Sequence, residues 1–510
     1  MPQADALTST GPDPARIAMN DLKQKTIRGG FAKICAQGAN FTLRIGSFMA
    51  LGRILSPRDF GLVGMVTALI GALSLFKDFG LSTATIQHSS VTEEQISTLF
   101  WVNILVGAIL GLVAFAIAPL VGAFYHEPRL VAVTSVLALS FIFNAAGVQH
   151  GAILQRQLRL PASAIIESVS LATSIAAAIG LALAGYGYWA LVASTIVSPL
   201  VSTIGFWLVT GWIPGKPCRN AGVRSMLGFG GTITLNGFIA YVAYNFEKIL
   251  LGKYWGADAI GLYGRAYQLV IIPTENVHSA AGVVAFAALS RLQSDLNRFK
   301  NYFLKGYSLV LAVTVPITIV AALFADDVIL VLLGPKWSGT GTLLRLLAPT
   351  IVIYALLDPL YWLLFSLGLV GRSLKIALVV APLVISGYLL GLPYGPRGVA
   401  FAYSTVMALW VIPHIAWCVH GTVISLRDIL LTASRPLLSG IAAALLPFSL
   451  QLSFGSHLSP MLRLTLGSSL FFGGYALMLL YVMGQKAFYM SVLRSFRYTP
   501  TMPEEVIAPV

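Results

Sequence analysis

From Ile96 to Phe124 the chain carries no charged side chain. A helix of that length, at 1.5 Å per residue, exceeds the roughly 30 Å hydrocarbon core of a bilayer. Long apolar runs recur along the 510 residues, divided by short polar segments. Backbone polar groups in hydrocarbon must be satisfied within the segment or in a closed barrel. These runs lack period-two alternation, so they predict helices. Fourteen are expected, over 33–53, 60–77, 96–124, 129–153, 162–184, 188–212, 226–251, 264–288, 303–333, 342–368, 373–392, 397–419, 432–452 and 461–484. Only 10% of the residues are charged, against roughly 25% in soluble domains. The fold class read from the sequence is therefore all-α integral membrane. The connecting segments are too short for a soluble domain and make consecutive helices antiparallel neighbours.

Charge then sets an orientation. Lys and Arg number 33 against 19 acidic residues, a net +14. Such an excess in a soluble protein would suggest nucleic acid; here it is scattered through short loops. An even number of spans puts both termini on one side. The loops on that side hold 22 of the basic residues, the opposite loops 10, and Arg44 falls inside a span. Both termini are expected to be cytoplasmic by the positive-inside rule. The polar 1–32 tail lacks the basic, apolar and small-residue order of a signal peptide, so the first helix is expected to be uncleaved. Cys35, Cys218 and Cys418 form no metal-ligand spacing and indicate no disulfide framework. With no Walker motif or metal cluster in the sequence either, no cofactor and no metal is expected.

The chain also repeats itself. Residues 51–64 (LGRILSPRDFGLVG) match 251–264 (LGKYWGADAIGLYG) at an offset of 200, with Leu51, Gly52, Gly61, Leu62 and Gly64 recurring as Leu251, Gly252, Gly261, Leu262 and Gly264. A second match pairs 185–195 with 395–405, where Gly185, Ala190, Ser194 and Thr195 recur as Gly395, Ala400, Ser404 and Thr405. Shared turn chemistry could produce either match alone. Two matches at nearly one offset, on equivalent helix junctions, indicate a six-helix unit used twice. The expected organisation is a tail (1–32), a lobe (33–212), a cytoplasmic linker (213–225), a second lobe (226–419), two added spans (420–484) and a tail (485–510). The lobes would be related by an axis along the membrane normal, with a substrate path between them.

At these junctions the sequence resembles the polysaccharide-transport family of the multidrug/oligosaccharidyl-lipid/polysaccharide exporter superfamily, the O-antigen and exopolysaccharide flippases. The likeness is carried by Leu55-Ser56-Pro57-Arg58-Asp59-Phe60-Gly61, Asp78-Phe79-Gly80-Leu81, Gln155-Arg156-Gln157-Leu158, Gly261-Leu262-Tyr263 with Arg265-Ala266, Leu289-Ser290-Arg291-Leu292-Gln293 and Leu333-Gly334-Pro335-Lys336-Trp337. Two positions depart from it: Glu247 stands where similar sequences often have Asp, and Ala287-Ala288 replace a common proline. The resemblance implies a V-shaped, two-lobed flippase in the bacterial inner membrane. Its substrate would be an undecaprenyl-diphosphate-linked oligosaccharide, moved from the inner to the outer leaflet. Membrane lipid, a polysaccharide polymerase and glycosyltransferases are its implied partners, and nucleic acid is not.

Moving a diphosphate and sugars past hydrocarbon calls for cationic, polar and aromatic groups in a wet cavity, and ionisable residues at membrane depth are functional candidates. Lys33, Gln37, Asn40, Arg44 and Ser47 share one face of the first span. Arg44 lies too deep to reach water easily, and its guanidinium fork suits phosphate oxygens; the alternative is a structural ion pair. In the seventh span Tyr241, Tyr244, Asn245 and Lys248 either meet substrate or anchor at the interface. Glu247 and Lys248 are adjacent and about 100° apart. In the eighth span Glu275 and His278 share a face and Pro273 predicts a kink; the acid either couples ions or pairs with a cation. Asp358 of the tenth span, beside a helix break expected at Pro359, is a third coupling candidate. An exporter of drugs or of the peptidoglycan precursor would show the same charge pattern. A membrane-embedded polymerase or ligase, an enzyme, would need larger external loops than these.

Overall fold

The computed structural model describes residues 36–76, 92–218, 224–454 and 458–497. Lys33, Cys35 and the Asp78-Phe79-Gly80-Leu81 stretch lie outside the described residues. Among those described, every regular element is a helix. They form two compact units, Met1–Gly261 and Leu262–Val510.

The first unit holds α1 (36–54), α2 (Pro57–Ser74), α3 (Glu93–Tyr125), α4 (Arg129–Arg156), α5 (Leu160–Leu183), α6 (Trp189–Thr210) and α7 (224–255). Helix α8 (257–291) continues into the second unit. That unit adds α9 (Leu296–Leu323), α10 (Ala325–Leu332), α11 (Ser338–Leu347), α12 (Pro349–Ser366), α13 (Val370–Gly391), α14 (Gly395–Val419), α15 (Leu426–Phe454), α16 (Pro460–Leu477) and α17 (Lys486–Arg497). Helix α3 packs on α4, α5 on α6, and α4 on α6; in the second unit α9 packs on α12 and α15, and α14 on α12 and α13. Nine segments among the described residues are long and apolar enough to cross a membrane.

Helix starts follow from local chemistry. Ser56 and Asp59 form a reciprocal capping box ahead of Pro57, and Thr92 and Gln95 do the same for α3. Each box satisfies two backbone donors that the first turn leaves open. Helix ends use left-handed backbone: His126 (φ 56°) closes α3 and Gly211 (φ 61°) closes α6. After α6 the chain is strapped back. Trp101 Nε1 donates to Gly215 O at 2.8 Å, Gly215 N to Ser97 Oγ at 3.0 Å, and Cys218 N to Thr98 Oγ1 at 3.0 Å.

Several expected helix limits change for identifiable reasons. The run 303–333 is two helices with a break at Phe324, because Asp326 and Asp327 favour the start of a new helix and settle in the first turn of α10. The run 342–368 divides at Pro349, which has no N–H to give the preceding turn. By contrast, Pro273 and Pro359 lie inside α8 and α12, which remain helical on both sides of them. Membrane-spanning helices tolerate proline because neighbouring groups absorb the freed carbonyl. The actual break near the eighth span is Gly256 (φ 79°).

The repeat has a structural expression inside the first unit. Ser56, between α1 and α2, corresponds at the 200-residue offset to Gly256, between α7 and α8. A Cβ on Gly61 would collide with the carbonyl of Ala257, and one on Gly261 would collide with the carbonyl of Pro57. Residues 57 and 257 are repeat mates, as are 61 and 261, so the contact is reciprocal. It is a two-fold crossing of the starts of α2 and α8, backbone against backbone, which small residues permit. Gly264, also shared by the repeat, has nothing within 4 Å of an added Cβ. Gly61→Val and Gly261→Val should each destabilise the detergent-solubilised protein by about 1–3 kcal/mol or more through overpacking, seen as a lowered thermal midpoint. Gly264→Ala should cause no loss. Equal tolerance at all three positions would show that the crossing does not hold the unit together.

Candidate functional site

In the first unit α1 carries the polar stripe. Gln37, Asn40, Arg44 and Ser47 fall on one face by helical spacing, and Phe48, one turn beyond Arg44 on that side, is buried in the core. Gln37 and Arg44 are exposed; Asn40 and Ser47 are half-buried. None of the described residues of the unit pairs with the Arg44 guanidinium, and Asn40 Oδ1 also has no hydrogen-bond partner among them. Arg44 is nine residues from Arg53, roughly 13 Å along the axis, so the stripe ends well inside the span. Lys33, the fifth member expected on this face, lies outside the described residues.

Helix α7 uses its polar residues differently. The Tyr241 hydroxyl lies 3.4 and 3.3 Å from the Thr67 and Ala68 carbonyls of α2, in space that Gly71 leaves open. Asn245 donates to the Tyr241 carbonyl at 3.0 Å and accepts from Lys248 Nζ at 2.6 Å. Tyr241 is thus engaged in packing against α2, and Lys248 is steered onto Asn245. Tyr244 is half-buried. The neighbouring Glu247 is fully buried, and neither carboxylate oxygen has a hydrogen-bond partner among the described residues. A carboxylate in that setting is costly. Nothing in the sequence pattern marked Glu247 above Lys248, because burial on a membrane helix depends on which face meets a neighbour.

The second unit holds a small cavity between α8, α9 and α12, lined in part by Thr274, His278, Thr314, Asp358 and Trp362. His278 Nδ1 stands 3.7 Å from Asp358 Oδ2, beyond hydrogen-bond distance but close enough for an ion pair when the imidazole is charged. The Trp362 ring lies 5.4 Å from the imidazole, at 33° to it. Both threonine hydroxyls are spent on their own helices, Thr274 on Val270 O at 2.9 Å and Thr314 on Val310 O at 2.8 Å. The acid brought to His278 is thus Asp358, from another helix, while Glu275 on the same helix is exposed and does not line the cavity. Carboxylate and imidazole at this spacing can hold a proton or a small cation between them.

Sequence reasoning missed Trp362 and His414. Trp362 follows Asp358 by one helical turn, a spacing that could have flagged it. His414 is buried in α14; its Nδ1 accepts from Trp410 Nε1 at 3.1 Å, its ring meets Tyr361 edge-on at 6.0 Å, and its Nε2 has no partner among the described residues. No group of three metal-ligating side chains occurs among the described residues.

This architecture, all-helical among the described residues, has counterparts among solved membrane proteins. A structure of the lipid II flippase MurJ, in an inward closed conformation, superposes with a TM-score of 0.72 at 14% identity. That likeness covers 91% of this chain and 99% of the other, and it is a likeness of fold. Residues 50–341, more than half the chain, match the family described as polysaccharide biosynthesis protein. The chain belongs to that family. It is 24% identical over 381 residues to the lipopolysaccharide biosynthesis protein WzxC of Escherichia coli, covering 72% of this chain and 77% of WzxC. It is 22% identical over 442 residues to the succinoglycan biosynthesis transport protein ExoT of Rhizobium meliloti, covering 86% and 89%.

The lone buried carboxylate yields a direct expectation. Glu247→Leu removes an unsatisfied group and should raise stability by about 1–3 kcal/mol, read as a higher thermal midpoint in detergent. A clear drop in midpoint would show that the carboxylate has a partner.

Proposed function

We propose that the protein is a transporter, not an enzyme, which flips an undecaprenyl-diphosphate-linked oligosaccharide across the bacterial inner membrane for polysaccharide biosynthesis. Family membership and the naming of ExoT as a transport protein support this class. The observation that carries the substrate reading is Arg44, a guanidinium deep in α1 that no described residue of its unit neutralises. Such a cation is stable only where water or an anion reaches it, and a diphosphate supplies two phosphate groups to a planar fork of donors. Asn40, Gln37 and Ser47 along the same face offer donors and acceptors to sugars. Tyr244, Asn245 and Lys248 are secondary contacts on α7, and Lys33, outside the described residues, is a further candidate from the sequence spacing alone. Tyr241 serves chiefly to seat α7 on α2.

The work of transport is assigned to the second unit. Asp358 and His278 take up and release a proton or cation, and Glu275 plays the lesser part. The six-helix lobes of the repeat, 33–212 and 226–419, rock in alternating access, with the termini on the cytoplasmic side. A polymerase and glycosyltransferases act on the substrate before and after.

Three outcomes test this. In proteoliposomes carrying a fluorescent lipid-linked oligosaccharide, Arg44→Ala should abolish transfer between leaflets without lowering the thermal midpoint, and Arg44→Lys should restore part of it, since an ammonium keeps charge but loses the fork. Full activity in Arg44→Ala would refute the anchor. Asp358→Asn should remove acceleration by an imposed pH gradient while Glu275→Gln keeps it; the reverse pattern would move coupling to Glu275. For orientation, Cys218 is the informative thiol, half-buried where Cys418 is fully buried. A membrane-impermeant maleimide added outside whole cells should leave Cys218 unlabelled, and labelling there would invert the topology.

A further inference from the structure

Helix α17 has no part in the transport reading, yet its composition is specific. By helical register Phe488, Tyr489, Val492, Leu493 and Phe496 fall on one side of Lys486–Arg497. By the same register Lys486 and Arg497 border that side and Arg494 lies beyond it, and the helix contains no acidic residue. A strongly two-faced helix with basic residues on its polar side lies in a membrane interface rather than across it.

Two further observations fix where it lies. The segment Pro460–Val482 is long and apolar enough to cross a membrane. Only Met483, Gly484 and Gln485 separate it from α17, a reach of roughly 10 Å, and Gly484 turns the chain with φ 64°. The Tyr489 hydroxyl meets Ser308 Oγ of α9 at 3.2 Å. Ser308 is buried, whereas Lys305, three residues earlier on the same helix, is exposed and charged. Ser308 therefore sits just inside the boundary that Lys305 marks, and it draws the apolar side of α17 to that depth. At the start of the helix, Lys486 Nζ lies 4.8 Å over the Tyr481 ring. The polar arc is left at headgroup level.

We propose that α17 is an anionic-lipid-binding element, which inserts its apolar side at the acyl boundary and holds phospholipid headgroups through Lys486, Arg494 and Arg497. The partner is the membrane surface itself. Its recognition chemistry is a phosphodiester whose negative charge no headgroup ammonium balances, which an anionic surface supplies and a zwitterionic one does not.

The test is hydrogen–deuterium exchange over 486–497 in the full-length protein, reconstituted in nanodiscs of phosphatidylcholine alone or with phosphatidylglycerol. Protection of α17 should rise at least about tenfold with phosphatidylglycerol, given the attraction each basic residue feels near an anionic surface. High salt should erase the gain. The triple variant Lys486→Gln, Arg494→Gln, Arg497→Gln should also lose it, while exchange in α9 stays as in the parent protein. Equal protection in the two lipids, as docking to a protein or a second copy would give, overturns the proposal. So does a phosphatidylglycerol effect that survives in the triple variant or in high salt. The salt arm uses the unaltered protein, so it decides the matter even if the variant folds poorly.

Discussion

Hydrocarbon offers a polar group no partner, and that constraint orders most of what the side chains do. Hydroxyls inside the helices turn back on their own backbone: Thr314 on Val310 O, Thr318 on Thr314 O, Thr405 on Phe401 O and Ser386 on Pro382 O, all at 2.8–2.9 Å. Such bonds satisfy the hydroxyl within one turn and ask nothing of a neighbouring helix. Longer side chains reach across instead. Arg463 meets Asp327 at 2.6 Å and fastens α16 to α10, and Lys300 meets Asp428 at 2.6 Å, joining α9 to α15. Among the described residues a set of polar groups still lacks a full complement of partners. Arg44, Glu247, His414 and the loosely spaced His278 and Asp358 are conspicuous among them. Their cost is what marks them, since a membrane helix has no structural need for any of them.

The same constraint explains why glycine, more than charge, sets the closeness of helices. Apolar side chains gain little by leaving lipid for protein, so association depends on how nearly backbones approach. At Gly61 and Gly261 that approach excludes even a methyl group. The reciprocity of the two contacts is informative in itself. A chance contact between two helix starts would not pair residue 57 with 261 and residue 257 with 61; an internal two-fold does so necessarily.

Helices and their approximate limits were legible because uninterrupted apolarity is a strong signal at membrane length. The short junction repeat was legible too, since Gly61 and Gly261 stand in equivalent sequence and make equivalent contacts. Internal breaks were harder to read. Pro359 looked like a break and is not one, while Phe324 and Gly256 are. Proline within a bilayer helix is absorbed by surroundings that the sequence does not display, whereas an Asp pair such as Asp326-Asp327 acts locally through the next helix's open N–H groups. The candidate sites divide in the same way. The α1 stripe needs only helical spacing, so Gln37, Asn40, Arg44 and Ser47 could be grouped from sequence. The pairing of His278 with Asp358 needs two helices brought side by side, and spacing alone favoured Glu275. The burial of Glu247 likewise depends on a neighbour that periodicity cannot name.

Two of the unspent sites, Arg44 in the first unit and His278 with Asp358 in the second, differ in kind, and this bears on how transport is driven. The first unit leaves a guanidinium open to an anion; the second leaves a carboxylate and an imidazole open to a proton or cation. A ligand shifts a conformational equilibrium only by its difference in affinity for the two states. On the proposed reading an anionic substrate biases the protein through Arg44 and a proton biases it through Asp358, and neither needs to touch the other. Linkage then makes the effects mutual: whatever protonation does to substrate affinity, substrate does equally to proton affinity. Coupling of this form requires no energy-transducing motif in the chain. It requires only that both sites change their exposure in the same conformational step.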